Sequence, residues 1–139
     1  MGAGVRELEI TARRLVSDLL FPDWRTSHAA TIETACTDVD NEAWLALLDD
    51  RAVGFVVLGF VDEDAARAGE VHVVAVDPAY KRLSIGEALM NHALSEIKTR
   101  GIDLAVVATG GDPGHEPARK LYEKLGFRPL PLVRYYRPL

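Results

Sequence analysis

Val5, Leu8, Ala12, Leu15, Val16, Leu19 and Leu20 recur at helical spacing, which predicts an amphipathic helix over residues 5–20. Phe21, Pro22 and Asp23 end it. A second helix is predicted over about 26–37, with Thr26 or Ser27 near its start. Then the period changes. Residues 43–48 and 53–61 predict two strands, and Asp49, Asp50 and Arg51 the turn of a hairpin between them. The polar stretch 62–69 predicts a loop, and 70–76 a third strand closed by Asp77 and Pro78. Gly86, Leu89, Met90, Ala93, Leu94 and Ile97 mark the buried face of a helix over about 84–99, ended by Arg100 and Gly101. Residues 103–109 predict a short apolar strand and 110–115 a loop. Ala118, Leu121, Tyr122 and Leu125 form a last helical stripe, stopped by Gly126. Residues 127–136 predict a final strand, interrupted by Pro129 and Pro131.

This order implies an α/β chain (α+β by some schemes) with a mixed central sheet flanked by helices. The helical crossover from 70–76 to 103–109 makes those two strands parallel and the connection right-handed. A length of 139 residues fits a single domain, 1–139, with a core large enough to need no disulfide or metal. Composition changes that picture little: 48% hydrophobic and 27% charged residues are a globular balance. No apolar run approaches the roughly 20 residues that cross a bilayer, and Met1 to Gly4 show no signal peptide, so no membrane partner is expected. Cys36 is the only cysteine, which suits a reducing cytoplasm. A net charge of −5 argues against nucleic acid as partner and mildly favours a cationic one. No His, Cys, Asp or Glu spacing suggests a metal site, His115 included.

The turn from the third strand into the following helix carries candidate chemistry. A helix start exposes unpaired N–H groups and a partial positive charge. Ser84 and Gly86 are small there, and Lys81 and Arg82 add full positive charge, so a diphosphate would suit the backbone of 82–88. The alternative is an ordinary turn with solvated cations. The stretch has neither a Gly-Lys-Ser/Thr ending nor a GxGxxG pattern. On the preceding strand, period-two geometry places Glu70, His72, Val74 and Val76 on one face, which makes Glu70 and His72 a polar pair beside the turn. Tyr122, on its own pattern, is a core tyrosine.

The run Lys81, Arg82, Leu83, Ser84, Ile85, Gly86, following Val76, Asp77 and Pro78, resembles the acyl-CoA-binding motif of the GNAT N-acetyltransferase superfamily, Gln/Arg-x-x-Gly-x-Gly/Ala. The run from Ala118 to Phe127 is similar to the family's second hallmark, a helix ending Leu-Tyr-x-x-x-Gly-Phe. The resemblance spans residues 53–137 and is architectural before them. It implies a GNAT-like sheet and acetyl-CoA as co-substrate. Lys81, Arg82, Leu83, Ser84, Ile85, Gly86, Glu87 and Ala88 would then hold the pyrophosphate, and the backbone of Val74 and Val76 the pantetheine arm. In the family the third strand splays from its parallel neighbour to admit that arm. A backbone N–H near Val74 would receive the oxyanion. Glu70 or His72 would take the amine proton, and Tyr122 would face the departing sulfur. His115 stands where a cofactor-contacting Asn is common, Ser84 where the first glycine is usual, and Lys81 where Gln or Arg is usual. The expected reaction is transfer of acetyl to a primary amine of a small molecule. The alternatives are a protein or peptide amine as acceptor, or a non-catalytic acyl-CoA-binding module. Residues 133–136 have two uses open to them, pairing across a homodimer or completing the sheet.

Overall fold

The computed structural model describes residues 8–12, 40–81 and 83–139. These hold strands β1 (Leu8–Ala12), β2 (Glu42–Leu48), β3 (Arg51–Glu63), β4 (Ala66–Val76) and β5 (Ala105–Val107). Two helices are described, α1 (Ile85–Thr99) and α2 (Glu116–Lys124). The chain divides into two compact units, Met1–Ala108 and Thr109–Leu139. The sheet lies in the first, with strands in sequence order β1-β2-β3-β4-β5. The first four are antiparallel to their neighbours, and β5 runs parallel to β4. It is the mixed sheet expected, and the helix-linked pair is parallel as expected.

Hairpin turns link the central strands. Asp49 and Asp50 have φ of 51° and 63°, the left-handed pair that matches strand twist. Asp64 and Ala65 repeat this at 42° and 70°, so the stretch 62–69 is not a loop as its polarity predicted. Pairing continues through it, from Phe60↔Gly69 to Glu63↔Ala66, and only two residues turn. Exposed Asp62 and Arg67, opposite each other, account for the polarity.

Each face of the sheet buries its own layer. Val56, Leu58, Leu89, Met90 and Ala93 are fully buried where α1 covers one face. Two glycines let the helix approach. A Cβ on Gly54 would meet Leu89 and Ile85, and one on Gly69 would collide with Ile97. On the opposite face Leu45, Phe55, Val57 and Ala75 cluster with Ala43, Leu47, Ala52 and Val73. Arg100, past the end of α1, pairs with Glu42 and lies over the Phe60 ring at 4.6 Å.

Two further predicted elements are corrected. Residues 8–12 belong to no helix: they pair with β2 from Leu8↔Leu48 to Ala12↔Trp44. Leu8, Ile10 and Ala12 alternate with Glu9 and Thr11, so this segment also fits a strand, and partnership with β2 decides between the periods. The remainder of that predicted helix and the helix over 26–37, with Trp24 and Cys36, lie outside the described residues. Residues 127–139 form no strand. Pro129, Pro131 and Pro138 each lack a ladder donor, and Leu130, Leu132, Val133, Tyr135 and Tyr136 are exposed.

Candidate functional site

Strand β4 is the element on which the candidate groups converge, and a β-bulge sets their directions. Val57 pairs with Val73, but the next residue, Leu58, pairs with Val71. His72 is the extra residue. The bulge breaks the period-two reading. Val76 pairs with Gly54, which faces α1, and Val74 pairs with Val56, two residues on along the same face. Gly69 also faces α1, so Glu70 points away from it. The His72 ring sits over Gly59, the cross-strand partner of Glu70. Glu70 and His72 therefore share one face, while Val74 and Val76 lie on the other. That corrects the expectation of a single face for all four.

Glu70 and His72 remain a pair. Glu70 Oε2 stands 3.9 Å from His72 Nδ1, and both side chains are about one-third exposed at 30%. This is an ion-pair distance, longer than a hydrogen bond. At the other end of the ring, His72 Nε2 and Asn41 Oδ1 both lie within 3.0 Å of where a Cβ on Gly59 would sit. The imidazole thus has Glu70 facing Nδ1, and it shares the space over Gly59 with the Asn41 side chain. Gly59 provides the space for it.

The parallel pairing of β4 with β5 runs only from Gly69↔Ala105 to Val71↔Val107. Beyond it β4 continues for five residues, His72 to Val76, with no described strand on that edge. Past Val107, where β5 ends, the edge of β4 that carries Val74 and Val76 is paired with no described strand. At its end Asp77 accepts from Ala79 N–H at 2.9 Å, which caps a 3-10 turn, Pro78–Tyr80. Arg51 lies over the Tyr80 ring at 5.7 Å.

The chain then reaches the start of α1. Ser84 takes φ 58° and ψ 25°, the left-handed region that favours glycine. It makes no side-chain cap bond, and its carbonyl accepts the first helical bond, from Ala88 N–H at 3.0 Å. Lys81, Leu83 and Ser84 are exposed, Ile85 is buried, and Gly86, Glu87 and Ala88 are half-buried. Arg82 lies outside the described residues. Farther along α1, His92 stands edge-on to Trp44 with ring centroids 5.0 Å apart. The sequence pattern gave no sign of that contact.

The second unit holds Tyr122 and His115. Tyr122 is half-buried on α2, with its ring edge-on to Phe127 at 6.0 Å. Burial raises its phenol pKa above the usual value near 10. The carbonyl of Tyr122 accepts from Phe127 N–H at 3.0 Å, and Gly126 takes φ 93° at the helix end. In the loop before α2, His115 Nδ1 is hydrogen-bonded to Asp112 Oδ1 at 2.6 Å. Arg119 donates to the carbonyls of Gly110 and Asp112 at 2.6 and 2.7 Å. Sequence reasoning passed over Asp112 and Arg119 as site residues. The i, i+3 spacing of Asp112 and His115 after two glycines was the available signal. Among the described residues no three His, Cys, Asp or Glu side chains gather to hold a metal, and no helix is long and apolar enough to cross a membrane.

Residues 9–127 match the model of the acetyltransferase (GNAT) family. The chain is 31% identical over 90 residues to the ribosomal protein bS18-alanine N-acetyltransferase of Salmonella typhimurium, a stretch covering 65% of this chain and 57% of that protein. It is 35% identical over 71 residues to the mycothiol acetyltransferase of Beutenbergia cavernae, covering 51% of this chain and 23% of that one. The matched stretches thus span less than two thirds of these relatives' own lengths. Among solved structures, an aminoglycoside acetyltransferase from an uncultured soil metagenomic sample superimposes with a TM-score of 0.74 at 22% identity, over 96% of this chain and 99% of that one. That likeness concerns the fold.

Proposed function

The chain belongs to the acetyltransferase (GNAT) family, and on that premise we propose that it transfers acetyl from acetyl-CoA to a primary amine of a small molecule. The observation that carries the acyl-CoA part is the run of β4 past Val71↔Val107, which pairs with no described strand on that edge, with the start of α1 next in the chain. The pantetheine arm lies along the backbone of Val74 and Val76. The pyrophosphate meets Lys81, Arg82 and Leu83 and the helix start from Ser84 through Ile85, Gly86 and Glu87 to Ala88. His115 is a further cofactor contact.

The reaction is a direct attack. Glu70 takes a proton from the ammonium form of the acceptor, directly or through one water, and frees the nitrogen lone pair. His72, whose Nδ1 stands 3.9 Å from Glu70 Oε2, is the alternative base. The nitrogen attacks the thioester carbonyl carbon, and the oxyanion takes a hydrogen bond from the backbone N–H near Val74. The C–S bond breaks as the carbonyl re-forms. The sulfur leaves as a thiolate and receives a proton from the Tyr122 hydroxyl. The attacking nitrogen gives its second proton to solvent and keeps the third as the amide N–H, and Glu70 and Tyr122 then exchange protons with solvent to return to their starting states.

An acidic chain attracts cationic amines, and aminoglycosides, named for one structural neighbour, are such amines. The Salmonella relative, named for a ribosomal protein's alanine, supports a second reading, a peptide α-amine. One experiment tests both. Free-thiol release from acetyl-CoA is measured over a panel of polyamines, aminoglycosides, small thiol-linked amines and N-terminal peptides. Turnover with a small amine and none with peptides is the expected result. Turnover with peptides alone would replace it with the second reading, and none with any amine would leave acyl-CoA binding without transfer.

A further inference from the structure

Gly59 stands in the interior of β3 between Leu58 and Phe60, and its backbone does not ask for glycine. Its φ lies outside the left-handed region, which holds only Gly101 and Gly126 among the glycines of the described residues. A glycine inside a strand weakens it and marks a close approach by another group. Here that group is the His72 imidazole. A Cβ on Gly59 would collide with His72 Nε2 and Cδ2 and with Asn41 Oδ1. His72 reaches this place because the bulge leaves it without a cross-strand partner of its own: Val71 pairs with Leu58, and Val73 with Val57. Its ring leans instead over the partner of Glu70, and Nδ1 comes to 3.9 Å from Glu70 Oε2. Gly59 itself is buried, while the side chains of Glu70 and His72 each keep 30% of their surface exposed. The carboxylate and the imidazole thus meet at a place that exists because residue 59 has no side chain.

We propose that Gly59 is a positioning residue for acetyl transfer: the space over it seats the His72 imidazole beside Glu70 and so holds together the two groups that can take the amine proton. The inference rests on the reading of that pair given above and adds the residue on the neighbouring strand that fixes its geometry. The nearest atoms a methyl at position 59 would meet are the far ends of two side chains, which can turn to other rotamers. The methyl also restricts the unfolded chain, which offsets part of the cost. Gly59→Ala therefore spares the fold and displaces the imidazole. Proton transfer needs hydrogen-bond reach of the reacting nitrogen, so a displaced ring loses its share of the catalysis.

Two readouts on the full chain test this. Nuclear Overhauser spectra of the wild type should join His72 Hδ2 to the Hα protons of Gly59, and a missing contact overturns the seat. Kinetics with acetyl-CoA and the amine of the panel above that turns over fastest are the second. His72→Ala and Gly59→Ala should each lower kcat/KM for the amine at least about tenfold. The double variant should stay within about twofold of His72→Ala alone, because the methyl then has no ring to displace. In Gly59→Ala, Tm and the KM for acetyl-CoA should stay near their wild-type values. A wild-type kcat/KM in Gly59→Ala overturns the proposal. So do losses that multiply in the double variant, since they would mark a strand disturbed independently of His72. If Glu70→Gln and His72→Ala both keep the wild-type rate, or no amine turns over, the reading of the pair fails and the role of Gly59 with it. The Overhauser contact still decides whether the ring lies over Gly59.

Discussion

Ser84 is a non-glycine residue in a glycine's conformation. An L-residue in the left-handed region gives up roughly 1–2 kcal/mol, and glycine's looser unfolded chain takes back about 0.5–1 kcal/mol. Ser84→Gly should therefore stabilise the protein by up to about 1 kcal/mol, a rise in Tm of a few degrees. Acetyl-CoA affinity should hold or tighten, because no serine side-chain cap is lost. Melts with and without acetyl-CoA check both. Tyr122→Phe deletes only the hydroxyl. If that hydroxyl protonates the thiolate, kcat should fall at least tenfold, and by up to the roughly 10²–10⁴ that general acids supply, while Tm barely changes. A core tyrosine would leave kcat near normal. Burial of the phenol also carries a pH signature. Its folded pKa is raised, so its contribution to stability is complete below the unfolded value near 10 and drains away as pH rises through the folded one. Tyr122→Phe should abolish that share of the alkaline loss, which urea titrations at pH 8 to 11 would show. The candidate residue types were read from motif spacing, which needs no structure. The hydrogen bond between Asp112 and His115 was not legible, since a carboxylate three positions away announces no particular rotamer.

At the scale of elements, the bulge at His72 decides which side chains share a face. Sequence gives alternation within a strand but not the skipped partner, because a bulge is a property of two strands at once. Glu70 and His72 were paired correctly, yet Val74 and Val76 were placed on the wrong face, one residue past the slip. If Glu70 is the base, Glu70→Gln should alter the kcat/KM–pH profile for a good amine. His72→Ala should lower the rate without removing it. An unaltered profile in Glu70→Gln would remove Glu70 as the base. The helix α1 was legible nearly to the residue, because its apolar stripe is long and has one period. Leu89, fully buried against Gly54, is its anchor. Leu89→Ala should cost about 2–5 kcal/mol, readable as a lowered denaturation midpoint with unchanged slope. β1 was illegible for the opposite reason: five residues fit two periods, and β2 is remote in sequence.

The whole molecule offers a test independent of any acceptor. Acetyl-CoA at about a hundred times its Kd should stabilise the fold by roughly 2.7 kcal/mol, and a flat melting curve with millimolar acetyl-CoA would refute the proposed binding. A second whole-molecule property follows from the strand order β1-β2-β3-β4-β5. The β2–β3–β4 meander closes through two-residue turns, so its contacts need little loop entropy. β5 joins only after the fifteen residues of α1 have formed and crossed back, and it then meets β4 over three pairs. Topology of this kind sets a clock. In pulse-labelled refolding, amides of Phe55, Val57 and Val73 should gain protection first and those of Ala105 to Val107 last. The edge of β4 that carries the proposed cofactor site is thus also the part finished last in time. A chain stalled before β5 would own a completed meander whose β4 edge has no partner strand.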